Sequence, residues 1–211
     1  MSPGLPDGQT ATNRKEGPTS ENGISPSLFA FVDCSTPRST LSRHSMAIYP
    51  IRTFGDPVLR METKPIAEIT DAVRTLAQDM IETMYDAPGV GLAANQIGIS
   101  RRIAVFDAQD DLGARVMINP EIVETHGELT QEEGCLSVPG HWWEISRPAF
   151  ARVKATDLDG HEVEYAGDGL VGRVLQHEVA HLDGRLLLDA LPKRTRKKAL
   201  RDLRDEALGY T

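Results

Sequence analysis

Gln176-His177-Glu178-Val179-Ala180-His181 sets two imidazoles four residues apart, with a carboxylate beside the first. On a helix, residues at that spacing share a face with Cβ atoms roughly 5–6 Å apart, so His177 and His181 could grip one metal ion from the same side. Glu178 falls next to that face, within reach of a water on the ion without being a ligand. A tetrahedral ion then lacks a third protein donor. The continuation His181-Leu182-Asp183-Gly184 imitates the start of the extended metzincin motif, but the third histidine of that motif would fall on Leu187, so the reading fails. A gluzincin-like site would need a downstream glutamate, and Glu206 is the only one. Upstream, Glu133-Gly134-Cys135-Leu136-Ser137 holds one of the chain's two thiols. A divalent ion stabilises a bound thiolate, and such a donor suits Fe(II), Zn(II) or Co(II). An ordinary buried thiol would fit Cys135 equally well on this information. Cys34 has no partner pattern around it and is expected to be inert.

A third segment, Gly89-Val90-Gly91-Leu92-Ala93-Ala94-Asn95-Gln96, is rich in small residues and ends in an amide. It lacks the lysine and trailing Ser/Thr of a phosphate-binding P-loop. Its glycines instead suit a backbone that passes close to a ligand, with Gln96 supplying a side-chain NH2 donor.

These residues need elements to hold them. Val73, Leu76, Ala77, Met80, Ile81 and Met84 follow the i, i+3, i+4, i+7 spacing of an amphipathic helix, which Thr70 or Asp71 could cap and Pro88-Gly89 would end. Ile103 to Phe106, Val116 to Asn119 and Ile122 to Thr125 read as short strands. Ala151, Val153 and Ala155 alternate with basic residues, turn through Asp157-Leu158-Asp159-Gly160, and resume at Val163 and Tyr165, which predicts a hairpin. The metal-binding pattern lies on a second helix, N-capped by Asp168, with Leu170, Val171, Val174, Leu175 and Leu182 on its apolar side and Gly184 past its end. A last helix opens at Pro192 and turns Leu200, Leu203 and Ala207 inward. The expected fold is α+β: a mostly antiparallel sheet with the His-Glu-x-x-His helix packed against it, one helix before and one after.

Composition limits the rest. Two cysteines in 211 residues cannot form a disulfide framework, which favours a reducing compartment. A net charge of -8 argues against a protein that coats nucleic acid, so no DNA partner is expected. No apolar run approaches the roughly 20 residues that cross a bilayer, and no membrane partner is expected. Pro, Gly, Ser and Thr make up 22 of the first 45 residues, where four basic residues balance four acidic ones. Such a stretch buries too little apolar surface to offset its ordering entropy. Residues 1–45 are therefore expected to be a disordered leader or upstream extension, and 46–211 the catalytic domain, with Met46 an alternative start. A transit peptide in 24–45 would move the protein from the cytoplasm to an organelle, although Glu16, Glu21 and Asp33 weaken that reading.

Taken in order and spacing, Gly-Val-Gly-Leu-Ala-Ala-Asn-Gln, Glu-Gly-Cys-Leu-Ser and His-Glu-x-x-His resemble the three signature motifs of the peptide deformylase family, and the likeness extends over essentially all of 46–211. One position departs: the family usually has Asp where this chain has Ala180, a change that could loosen metal binding. The resemblance implies a metal-dependent hydrolase that removes the formyl group from the formyl-methionine of newly made polypeptides and releases formate. Cys135, His177 and His181 would be the metal ligands, the water on the ion the nucleophile, and Glu178 the general base and acid. Gln96 and the Leu136 N–H would stabilise charge on the formyl oxygen. Gly89, Val90 and Gly91 would pair with the extended substrate, and Val90 and Val174 would border its methionine side chain. The cofactor implied is one divalent ion per chain, Fe(II) foremost, with Zn(II), Ni(II) or Co(II) able to substitute. Seven of the twelve residues from Lys193 to Arg204 are basic, which suggests a ribosome contact through the last helix. A zinc peptidase cutting internal bonds would leave Cys135 and the Gly89–Gln96 segment without a role, and in a non-catalytic metal-binding module Ala180 would be one sign of decay.

Overall fold

The computed structural model describes residues 47–210. The leader assigned to 1–45, Met46 and Cys34 lie outside the described residues. Three helices, α1 (Asp71–Asp86), α2 (Gly169–Leu182) and α3 (Lys193–Ala207), accompany seven strands: β1 (Gly91–Ala93), β2 (Ile103–Phe106), β3 (Arg115–His126), β4 (Leu129–Gly134), β5 (Trp142–Arg147), β6 (Phe150–Thr156) and β7 (Glu162–Asp168). Five strands form one sheet in the order β1-β2-β3-β6-β7, every pair antiparallel, and β4 and β5 make a separate hairpin. This is the expected α+β architecture with α2 packed on the sheet.

Strand β2 shows why its sequence is apolar throughout. Ile103 and Val105 pack with Val73, Ala77, Met80 and Met84 of α1, whereas Ala104 and Phe106 pack with Val174, Leu175, Val179 and Leu182 of α2. Both faces of the strand are covered, so neither set of alternating positions can be polar. Strand β3 corrects the expectation of two short strands. It runs unbroken from Arg115 to His126, with register shifts on either side of Glu121–Ile122. Asn119 has a φ of 52°, and its side chain accepts from the Ile66 N–H and donates to the Ile66 carbonyl, each at 2.8 Å, so the irregularity is fastened to the preceding loop. Pro120, next along, removes a ladder donor, which is why the sequence looked like two strands.

Other details differ from the sequence reading. Neither Thr70 nor Asp168 caps its helix with a side-chain hydrogen bond. Leu170 lies at the exposed start of α2. On α3, Ala199 is buried and Leu200 and Leu203 pack beside Ile145, Leu187, Leu188 and Leu191, but Ala207 is exposed because the helix has by then passed its neighbours.

Helix α2 lies close against its neighbours at Gly172. A Cβ there would stand 2.5 Å from the Gly167 carbonyl oxygen and 3.0 Å from that of Ala149. Both obstacles are backbone, so neither can swing away. Gly172→Ala should therefore destabilise the protein by about 1–3 kcal/mol despite alanine's better helix propensity, which thermal unfolding would register as a fall in Tm of roughly 3–10 °C. An unchanged or raised Tm would refute this close packing.

Candidate metal centre and active site

Helix α2 carries His177 and His181 on the face turned toward the loop after β4, where Cys135 lies. Cys135 Sγ is 3.2 Å from His181 Nε2, and His181 Nε2 is 3.2 Å from His177 Nε2. One ligand atom from each residue lies within 4.8 Å of the others. Donors about 2.0–2.3 Å from a shared tetrahedral ion stand about 3.3–3.7 Å apart, so the cluster fits a divalent ion. Burial opposes ionisation of the Cys135 thiol, but the charge on His181 and hydrogen bonds with both histidines hold it well below the ordinary thiol value.

Sequence reasoning named Glu133 but gave it no role. Its carboxylate accepts from His177 Nδ1–H at 2.6 Å, from Arg147 Nη2 at 2.6 Å and from Arg173 Nη1 at 2.6 Å. All three partners are largely buried. Burial pushes the Glu133 carboxyl up, but hydrogen bonds from Arg147 and His177 outweigh it and hold the group well below the usual carboxylate range. Burial likewise pulls the His177 imidazole down, yet the Cys135 thiolate and Glu133 push it up to about 10. Arg173 sits one helical turn before His177, an i, i+4 relation visible in the sequence; Arg147, on β5, gave no such signal. Asn95, fully buried, donates its Nδ2 to the His181 carbonyl at 2.5 Å and anchors the far end of the motif to the glycine-rich segment.

That segment forms β1 and a short 3-10 helix, Ala94–Ile97. Gln96 Oε1 accepts from the Ala93 N–H at 2.8 Å, so the amide must turn its NH2 the other way, toward Ser137 Oγ at 3.2 Å and Cys135 Sγ at 3.7 Å. The glycines are required by close approach: a Cβ on Gly91 would strike the Glu178 carboxylate and Val174, and one on Gly89 would stand 2.7 Å from Leu136 Cδ1. Glu178 is 2% exposed, and its Oε2 has no hydrogen-bond partner among the described residues. Burial pushes its carboxyl up to about 7 against the pull of the two histidine charges.

A cavity of about 550 Å³ gathers these groups, lined by Gly89, Val90, Gly91, Gln96, Cys135, Leu136, Val174, His177 and Glu178 among others. The site residues expected of the three motifs therefore meet in one place, His181 joining through its contacts with Cys135 and His177. Ala180 does not line the cavity, and Glu206 lies on α3, where it pairs with His141 instead of the histidine cluster. Removing the Glu133 carboxylate would leave Arg147 and Arg173 buried without a counter-charge. Glu133→Ala should cost about 3–5 kcal/mol of stability, read by urea unfolding; a loss within about 0.5 kcal/mol, the size of an ordinary surface change, would mean that the three bonds are dispensable.

A family profile described as polypeptide deformylase matches residues 48–197. Peptide deformylases of Alkalilimnicola ehrlichii and Pseudomonas aeruginosa are each 45% identical to the chain, over 161 and 168 residues, which is 75% and 77% of this chain and 90% and 100% of theirs. The crystal structure of a peptide deformylase from Legionella pneumophila matches with a TM-score of 0.71 and 43% identity, covering 78% of this chain and 99% of that one. A Met-Ala-Ser-bound class I type b peptide deformylase from Acinetobacter baumannii matches with a TM-score of 0.64 and 32% identity, covering 69% of this chain and 99% of its own. With three motifs converging on one cavity and matches that span nearly the whole of these relatives, the chain belongs to the peptide deformylase family.

Proposed function

We propose that the chain hydrolyses the N-formyl group of formyl-methionine at the start of newly made polypeptides, with Cys135, His177 and His181 holding one divalent ion and Glu178 moving the proton. The observation that carries this reading is the position of Glu178, a buried carboxylate with a free oxygen on the same cavity as Cys135, His177 and the Gln96 amide. An ion bound there would polarise the formyl oxygen and lower the pKa of a water molecule. Glu178 takes the proton from the attacking water and delivers it to the departing nitrogen, a double duty suited to a carboxyl held near neutrality. The Gln96 NH2 and the Leu136 N–H, which makes no hydrogen bond among the described residues, donate to the oxygen as it gains charge. Gly89, Val90 and Gly91 guide the extended peptide, and Val90 and Val174 border the methionine side chain. A relative bound to Met-Ala-Ser, a deformylated product sequence, supports a peptide in this cleft.

Fe(II) is the proposed ion, since thiolate and imidazole donors suit it, and Zn(II), Ni(II) or Co(II) could replace it on the same donors. The family match and every cavity residue fall within 46–211, which supports reading that stretch as the catalytic domain. Among the described residues no helix is long and apolar enough to cross a membrane; a cytoplasmic location fits the bacterial relatives, and a transit peptide within 24–45 would place the protein in an organelle instead. On α3, Arg196 pairs with Asp189 and Lys198 with Asp202, but Lys193, Arg194, Lys197, Arg201 and Arg204 form no ion pair among the described residues. These five free cations support a contact with ribosomal RNA, where formylated chains emerge.

Formate release from formyl-Met-Ala-Ser, with metal analysis of the same sample, tests the central reading. Glu178→Ala should lower turnover by about 10²–10⁴-fold while the ion content is retained. Casein cleavage without formate release would instead favour an internal peptidase, and no turnover of either substrate a binding module. Reversing the charges of Lys193, Arg194, Lys197 and Arg201 should abolish co-sedimentation with ribosomes at low salt; unaltered co-sedimentation would refute the contact.

A further inference from the structure

The hydrolytic chemistry leaves the outer side of the β4–β5 hairpin unused. The register sets Gly134 opposite Trp142 and Glu132 opposite Glu144. Residues two apart on a strand share a face, so Trp142, Glu132 and Glu144 stand together on one side, while Glu133 points to the other. Trp142 is 67% exposed. Its ring lies over Gly134, where a Cβ would come within 2.8 Å of the indole, so only glycine at this position leaves the ring room against β4. The side chains on either side are packed against one another. His141 bonds Glu206 of α3 at 2.9 Å and stacks on Trp143 with ring centroids 5.5 Å apart.

The two glutamates are exposed and form no ion pair among the described residues. Like charges directly opposite on paired strands are destabilising, a cost that an incoming cation would relieve. Glu132, Gly134 and Trp142 line the same cavity as Cys135, His177 and Glu178. A peptide whose formyl end lies at the Cys135–His177–His181 cluster therefore has a continuous path out past the indole. An aromatic face flanked by two carboxylates attracts an ammonium or guanidinium group through the ring quadrupole and direct charge.

We infer that Trp142, Glu132 and Glu144 form a subsite for a Lys or Arg side chain within the two residues that follow formyl-methionine, so that basic N-termini are deformylated preferentially. The inference rests on the deformylase reading of the cavity. Its test compares kcat/KM of the full-length, metal-loaded protein for formyl-Met-Ala-Lys, formyl-Met-Lys-Ser and formyl-Met-Ala-Glu, read as formate release, in the wild type, Trp142→Ala and the double variant Glu132→Gln/Glu144→Gln. The better lysine peptide should exceed the glutamate peptide by about three- to tenfold at low salt, and the ratio should shrink at high salt and fall toward one in both variants. Each ratio is taken on a single sample, so a partly inactive preparation does not distort it. A wild-type ratio of one, or a ratio undiminished in the double variant, would overturn the subsite. Formate from none of the peptides would instead overturn the hydrolytic assignment, and the subsite with it.

Discussion

The Nδ1–H of His177 donates to Glu133, and that bond decides which ring nitrogen faces Cys135. An ion bound there would displace the second proton of the imidazolium, and with the remaining proton held on Nδ1 the Nε2 lone pair is left for the ion. The arrangement demands a carboxylate in the interior, which is costly unless its charge is matched and its oxygens are satisfied. Arg147 and Arg173 do both, from β5 and α2 respectively, so one carboxylate joins the hairpin to the helix that carries the histidines. The position of His177 is thus set by its own helix together with the two strands of a hairpin far back in the sequence.

The same helix must also lie close to the sheet. Gly172 allows the backbone of α2 to rest against Gly167 and Ala149, and Gly91 leaves room beside β1 for the Glu178 carboxylate. Small residues at these two contacts let α2 lie close to its neighbours, and the burial of Glu178 raises the proton affinity that a base and acid at neutral pH requires. The turn of the Gln96 amide follows from the Ala93 N–H in the same way: a backbone donor claims the oxygen, and the NH2 faces the reacting groups.

How much of this was legible depended on the range of the interaction. His177, Glu178 and His181 could be read because their relation is one helical turn. Cys135 stood out because the chain has so few thiols, and β2 because a strand covered on both faces is apolar throughout. The β4–β5 hairpin escaped because Leu-Thr-Gln-Glu-Glu-Gly has no apolar alternation; it carries Glu133 and Arg147, which resemble surface residues until the fold pairs them. The bond between Glu133 and His177 spans 44 positions, and no local pattern announces it. Strand β3 looked like two strands because Asn119 and Pro120 interrupt it, and Ala207 looked buried because periodicity does not reveal where a helix leaves its partner.

The proposed hydrolysis depends on Cys135, His177 and His181 sharing one divalent ion. X-ray absorption at the edge of whatever metal co-purifies with the protein addresses it directly. The predicted spectrum requires one sulfur and two imidazole nitrogens around a single ion per chain, with the sulfur contribution lost in Cys135→Ser. A metal surrounded by nitrogen and oxygen alone, or a sulfur contribution that survives Cys135→Ser, would contradict it.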